Sequence, residues 1–118
     1  MNKRYIESAI PKAIKLIKEN NKIYNKKENA VPNEFMGYVS SFATAITLSG
    51  PIQAIIFYKE KSEAKFHREE MLKVIQDLMG VDNLLNYIEK NPHQKQKLID
   101  SAIAFKMALR VFDLKKGM

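Results

Sequence analysis

A run of 24 residues from Phe35 to Tyr58 contains no Asp, Glu, Lys, Arg or His, although 28% of the chain is charged. A membrane-spanning helix needs about 20 consecutive, mostly apolar residues, whereas this run holds six polar residues and is interrupted by Gly50-Pro51. It therefore predicts two short helices inside a protein that does not enter a membrane. Because a helix without charge is typically buried on every face, we expect this hairpin at the centre of the fold. Five of its apolar side chains are expected to be buried against the first and last helices: Phe42, Ile46, Ala54, Ile55 and Phe57.

Length and composition set the broad class. A chain of 118 residues predicts a single domain over residues 1–118. It has no cysteine, which excludes a disulfide, a thiolate metal site and a cysteine nucleophile, and fits a cytoplasmic location. The first ten residues carry three charges and no apolar stretch, so we expect no secretory signal peptide.

Hydrophobic periodicity and turn signals predict an all-α, compact single-domain bundle of about six helices. No segment shows the alternation that is typical of a strand. Pro11 should bend the first helix or mark its start, Gly80 should end the fourth, Asp82 should cap the fifth, and the last should be central. The predicted helices cover residues 3–26, 33–48, 51–61, a fourth with an apolar stripe from Phe66 to Met79, 83–90 and 92–115, with a polar linker over residues 27–32.

The net charge of +7 is concentrated at the start of the chain. Residues 1–27 hold eight basic and two acidic groups, a net of +6, so the other 91 residues contribute only +1. A local cationic surface predicts a polyanionic partner such as nucleic acid or an acidic protein face. A solvated lysine face that serves solubility is the alternative that the charge leaves open. Five cations form a stripe opposite the apolar side of the predicted first helix: Arg4, Lys15, Lys18, Lys22 and Lys26.

The chain offers little material for catalysis, and we expect that it is not an enzyme and holds no cofactor or metal. His67 and His93 are not at metal-ligand spacing and are expected at the surface. No phosphate-binding glycine loop, nucleophile elbow, zincin or EF-hand pattern occurs. A DNA-reading helix-turn-helix over residues 33–61 is disfavoured, because residues 51–58 of its second helix carry one amide and no charge. Three tyrosines are candidates for stacking on bases, although buried tyrosines are commoner and are expected here: Tyr38, Tyr58 and Tyr87.

The segment over residues 50–57, Gly-Pro-Ile-Gln-Ala-Ile-Ile-Phe, resembles the signature of the small helical subunit of the type III-B CRISPR effector, the fifth subunit of the Cmr complex. That family typically reads Gly-Leu-x-Gln-x-Leu-Ala-Phe here, with a Pro-x-x-Ile step upstream. Gly50, Gln53 and Phe57 match, Ile55 is a conservative match, and Ile46 fits the upstream isoleucine. Three positions depart from the pattern: Ala43, Pro51 and Ile56.

The resemblance implies a non-catalytic small subunit that stacks in the body of an RNA-guided complex in antiviral defence. Its implied partners are the other effector subunits, copies of itself and the target RNA paired with the crRNA. It implies that the cationic stripe binds RNA backbone, with a second set of candidates should the stripe not bind: Lys59, Lys61, Lys65, Lys106 and Arg110. The alternative function is a helical protein-interaction or DNA-binding regulatory module with a basic face.

Overall fold

Six α-helices carry the fold in the computed structural model, which describes residues 1–60 and 65–116 and, at positions 65 and 66, the backbone alone. The helices are α1 (Lys3–Lys18), α2 (Glu34–Ser49), α3 (Pro51–Lys59), α4 (Lys65–Met79), α5 (Leu84–Lys90) and α6 (Lys95–Leu109), and the strands are β1 (Ala30–Pro32) and β2 (Asp113–Lys115). The predicted all-α bundle is thereby confirmed. Among the described residues, no helix combines the length and apolarity needed to cross a membrane.

Helix α6 lies at the centre, as expected, and packs mainly against α1 and α2. Its contact face mixes the large side chain of Phe105, which is fully buried, with the small Ala102 and Ala108. Small residues let neighbouring helix axes approach closely, and the large ring fills the space between them. The ring of Phe105 meets that of Phe35 from α2 edge-to-face, at 6.4 Å between centroids.

The first helix is shorter than predicted, because α1 ends at Lys18 and not at residue 26. The side chain of Asn20 accepts a hydrogen bond from the backbone N–H of Lys22 (2.9 Å), which closes a turn in place of a further helical turn. The amide nitrogen of Asn20 also donates to Oε1 of Glu70 on α4, at 3.1 Å. At the other end the helix begins at Lys3, with Pro11 inside it, so the alternative of a start at Pro11 is wrong.

The predicted polar linker before α2 is in part a buried strand. Ala30, Val31 and Pro32 of β1 are all buried, and they pair in parallel with β2, where Val31 lies opposite Leu114. The last helix accordingly ends at Leu109 and does not reach residue 115. A three-residue strand is too short to show alternation, and its partner lies more than 80 positions away, so no local pattern predicted this pair.

The turns at Gly50 and Gly80 follow the predictions, whereas the starts of α5 and α6 differ from them. Gly50 adopts a positive φ of 89° between α2 and α3, with Pro51 in the first turn of α3, and Gly80 follows α4 with a φ of 70°. The cap of α5 is Asn83, whose Oδ1 accepts from the N–H of Asn86 (2.9 Å), and not the predicted Asp82. A 3₁₀ turn over Pro92–Gln94 precedes α6.

The α2–α3 hairpin, which is uncharged over residues 35–58, buries one face and not every face, and this corrects the prediction made from its composition. Phe42 and Ile46 of α2 and Ala54 and Ile55 of α3 are buried as expected, but Phe57 is 52% exposed. Helix α3 packs mainly against α2, α4 and α5 and not against the first and last helices. Absence of charge identified the hairpin correctly, but it does not distinguish a buried face from an uncharged solvent-facing one.

Candidate nucleic-acid interface

The predicted cationic stripe is divided between a helix and a loop. Arg4, Lys15 and Lys18 are exposed on α1. At 100° and 1.5 Å per residue they share one face of the helix and span about 21 Å along its axis. Lys22 and Lys26 lie beyond the end of α1, so the five cations do not form one continuous helical row.

Lys22 and Lys26 belong instead to a loop over residues 19–29, which we call the lysine loop. This loop forms one side of a surface depression of about 570 Å³. Lys27, which the stripe did not include, lines it as well, and asparagine side chains lie between the lysines. The depression is lined by Asn21, Lys22, Tyr24, Asn25, Lys26 and Lys27, with Ile23 and Pro32. The amino groups of three lysines and the amide groups of two asparagines in this lining can donate hydrogen bonds to an anion.

Contacts with the body of the protein hold the lysine loop in place. The ring of Tyr24 packs on Phe112 at 5.3 Å between centroids, and its hydroxyl donates to Oδ1 of Asn29 at 2.7 Å. The backbones of Asn25 and Ala30 exchange two hydrogen bonds, of 2.8 and 3.2 Å. Asn29 takes the left-handed φ of 51° that this reversal requires, a conformation that asparagine tolerates better than most residues. These contacts tie the backbone that carries the lysines to the rest of the protein.

The lysines differ in how far neighbouring carboxylates offset their charge. Nζ of Lys22 lies 4.0 Å and Nζ of Lys73 lies 3.7 Å from Oε2 of Glu70, whose side chain is only 6% exposed. Within residues 1–60 and 65–116, neither Lys26 nor Lys27 forms an ion pair. Lys26 and Lys27 thus carry the least compensated charge of the lysine loop in this part of the chain, whereas Glu70 partly offsets the charge of Lys22.

We expect Glu70→Ala to lower the free energy of unfolding by roughly 1–3 kcal/mol, because it removes the buried acceptor of Asn20. Glu70→Gln should lose less, because it keeps an acceptor oxygen. Asp77→Ala, at an exposed position of the same helix, is the control and should change stability by about 0.5 kcal/mol or less. Urea denaturation measures the loss, and hydrogen exchange over residues 19–29 locates it. Equal behaviour of Glu70→Ala and Asp77→Ala would show that Glu70 does not hold the loop.

The aromatic candidates for base stacking are mostly engaged within the protein. Tyr58 is buried, and its hydroxyl donates to the carbonyl of Tyr38 at 3.1 Å. Burial raises the pKa of the Tyr58 hydroxyl above its ordinary value, and a hydrogen bond with Ser41 partly offsets this. Tyr38 and Tyr87 are half-buried. Tyr24, which was not among the predicted candidates for base stacking, lines the depression beside the lysines of the lysine loop.

The remaining candidates lie on other elements. His67 is half-buried against the rings of Phe35 and Tyr38 and not in a surface linker, whereas His93 is exposed. Lys61 and the side chain of Lys65 lie outside the described residues, as does the side chain of Phe66. Lys59 ends α3, Lys106 is on the last turns of α6, and Arg110 follows it. Among the described residues, no group of three or more His, Asp or Glu side chains is arranged to hold a metal ion.

The sequence signal that could have predicted the lysine loop is the cluster of asparagines at positions 20, 21, 25 and 29, because asparagine favours turns over helix interiors.

Comparisons with protein-family models, with curated proteins and with solved structures found no match. The family resemblance therefore depends on residues 46–57 and on the layout of the chain. In the structure these residues form the α2–α3 hairpin and its Gly50 turn.

Proposed function

We propose that this chain is a non-catalytic subunit of a type III-B CRISPR effector complex and that it helps to hold target RNA through backbone contacts. The observation that supports the proposal is the pair of cationic surfaces, one on α1 and one on the lysine loop, in a region that carries +6 of the net charge of +7. Lysine acts as a flexible point charge and binds phosphates without demanding a fixed geometry.

Such a subunit needs no base-reading groups. In an RNA-guided complex, pairing with the guide supplies sequence specificity, and the protein contributes shape and positive charge. The lysine loop offers those properties, with cations and amide groups on a fixed backbone. Phosphate contacts of this kind supply affinity that falls as salt rises. The cytoplasmic location, the other effector subunits as partners and the role in antiviral defence follow from the family resemblance.

The alternative function, a helical interaction module, is favoured by the exposed uncharged side of the α2–α3 hairpin, where Leu48 is 80% and Phe57 is 52% exposed. This surface suits a protein partner better than a nucleic acid, because the residues that line it include exposed apolar side chains and no cation. The exposed surface of α3 gives less support to DNA binding, the other form of the alternative function, than to protein interaction. The exposed residues of α3 are mostly uncharged, as Gln53, Ile56 and Phe57 are, and Lys59 at its end is its one cation.

The test is assembly with the proteins encoded by neighbouring effector genes, followed by measurement of target RNA retention with and without this chain. We expect the chain to co-purify with the complex, and complexes that lack it to retain less target RNA. The purified chain alone should not cleave RNA with or without divalent metal. Equal retention without the chain would contradict the RNA-holding role, and turnover that one point substitution abolishes would contradict the non-catalytic role.

A further inference from the structure

The surface depression beside the lysine loop combines cations with an aromatic ring. Lys22, Lys26 and Lys27 line it, and no acidic residue is part of this lining. Tyr24 lies between the first two of these lysines in the sequence, and Pro32 of β1 lines the same depression. A concave cationic surface with an aromatic side chain among its lysines is typical of proteins that bind single-stranded nucleic acid.

Contacts with the body of the protein hold the ring of Tyr24 in place without burying it completely. Its centroid lies 5.3 Å from that of Phe112, a residue that is itself only 5% exposed. The hydroxyl of Tyr24 donates to Oδ1 of Asn29 at 2.7 Å, which holds the outer end of the side chain as well. Tyr24 nevertheless remains half-buried, so part of its surface is open to the depression. A side chain that is already ordered loses little conformational entropy when a ligand binds to it.

The lining of the depression offers the three kinds of group that can bind an unpaired nucleotide. Lysine amino groups bind a phosphate, an aromatic ring stacks on a base, and asparagine amides can form hydrogen bonds with base edges. Asn21 is exposed in this lining, next to Lys22 in the sequence. The volume of about 570 Å³ lies within the range of small-molecule sites, so one nucleotide can be accommodated.

Other polyanions would use only part of this lining. The carboxylates of an acidic polypeptide could pair with the lysines, but they have no flat π-face that would cover an aromatic ring. In duplex RNA the bases are paired and stacked on one another, so a protein meets mainly phosphates and 2′-hydroxyls. A single strand presents phosphates and free base faces together, and it would therefore use both the lysines and the ring.

We propose that the depression binds an unpaired nucleotide of single-stranded RNA, with its base stacked on Tyr24 and its phosphate bound by the lysines of the lysine loop. This inference rests on the proposed function and extends it, because contacts with phosphates alone do not require an unpaired base. Stacking tolerates any sequence, since every base has a π-face. The chain would therefore hold an unpaired stretch of RNA whatever its sequence.

Two substitutions of Tyr24 separate stacking from anchoring of the loop. Tyr24→Leu removes the ring and should weaken binding of a labelled single-stranded RNA at least about fivefold, the low end of the effect of removing one stacking ring. Tyr24→Phe keeps the ring, loses the hydrogen bond to Asn29 and should change the affinity by less than about twofold. A fluorescent base analogue in the RNA should be quenched by the native chain and by Tyr24→Phe, and much less by Tyr24→Leu. Thermal unfolding checks that both variants remain folded.

Inorganic polyphosphate is the probe that carries phosphates without bases. It should compete with RNA for the lysines, and Tyr24→Leu should change its affinity by less than about twofold, because no stacking contact is lost. Tyr24→Leu should also leave the salt slope of RNA binding unchanged, since it removes no cation. The matched comparison is Lys22→Ala with Lys26→Ala, which should weaken binding of both ligands and flatten the slope by about 1.4, at about 0.7 per phosphate.

Three results would overturn the stacking proposal. Unchanged RNA affinity of Tyr24→Leu would exclude the ring as a contact. Equal losses of RNA and polyphosphate affinity in Tyr24→Leu would show that Tyr24 only holds the lysine loop in place. Poly-glutamate that competes as strongly as RNA at equal charge would assign the depression to acidic polypeptides. The proposed backbone contact is judged separately, by the salt slope of the native chain, which does not depend on Tyr24.

Discussion

Replacing Phe42 with alanine is expected to lower the free energy of unfolding by roughly 3–5 kcal/mol. Phe42 is fully buried in α2, and its ring packs on Tyr58 at 5.0 Å between centroids. Truncation would remove the transfer free energy of the ring and leave a cavity that the surrounding helices fill only in part. The loss should appear as a lower midpoint in urea denaturation with an unchanged m-value, because the surface exposed on unfolding stays nearly the same.

The control is Phe57→Ala, which removes the same side chain from the exposed side of the hairpin. Phe57 is 52% exposed and contacts the guanidinium of Arg68 at 5.1 Å from its ring centroid. Partial burial and one such contact predict a loss of about 1 kcal/mol. Equal losses for the two variants would contradict the one-sided burial of the hairpin and would restore the prediction that both faces are buried.

Replacing Lys15, Lys18, Lys22 and Lys26 with alanine is expected to weaken RNA binding about 30-fold at low salt, since four exposed ion pairs of about 0.5 kcal/mol each amount to about 2 kcal/mol. Folding should be retained, because all four side chains are exposed. The two surfaces are separated by two double variants, Lys15→Ala with Lys18→Ala on α1 and Lys22→Ala with Lys26→Ala in the lysine loop. Each double variant should weaken binding about fivefold.

The charge-matched control for the double variants removes Lys90 and Lys95, which are exposed near the junction of α5 and α6. It should change affinity by much less than either double variant. If all three double variants behave alike, net charge and not location determines binding. If none has an effect, the contact lies elsewhere, and Lys59, Lys106 and Arg110 are the next described candidates. Fluorescence anisotropy with a labelled single-stranded RNA measures each affinity.

Local signals predicted the fold where local chemistry determines it. Gly50-Pro51 and Gly80 located the ends of three helices, because a positive φ at glycine and the missing N–H of proline act within one or two residues. The end of α1 was missed since Ile23 and Tyr24 continue the apolar period past Lys18. The helix ends just before Asn20, whose side chain accepts from the N–H of Lys22 and donates to Glu70, a residue 50 positions away that it meets only after folding.

The candidate site was predicted in its residues more than in its shape. Arg4, Lys15 and Lys18 do share one exposed face of α1, as the period required. Lys22 and Lys26 lie in the lysine loop, next to Lys27, and not on the first helix, because that helix ends before them. The exposed side of the α2–α3 hairpin could not be predicted from composition, since an uncharged sequence looks the same whether its outer face meets the core or solvent. Tertiary contacts determine whether that outer face is buried or exposed.

The central claim, RNA backbone binding by these cations, is tested most directly by the salt dependence of binding to two single-stranded RNAs of unrelated sequence. Five contacting cations predict a slope of about −3.5 in a plot of log association constant against log salt, at about −0.7 per phosphate neutralised, and the same slope for both sequences. The fourfold lysine variant should flatten this slope to about −1. A slope near zero for the native chain, or the same slope for native and variant proteins, would contradict the account.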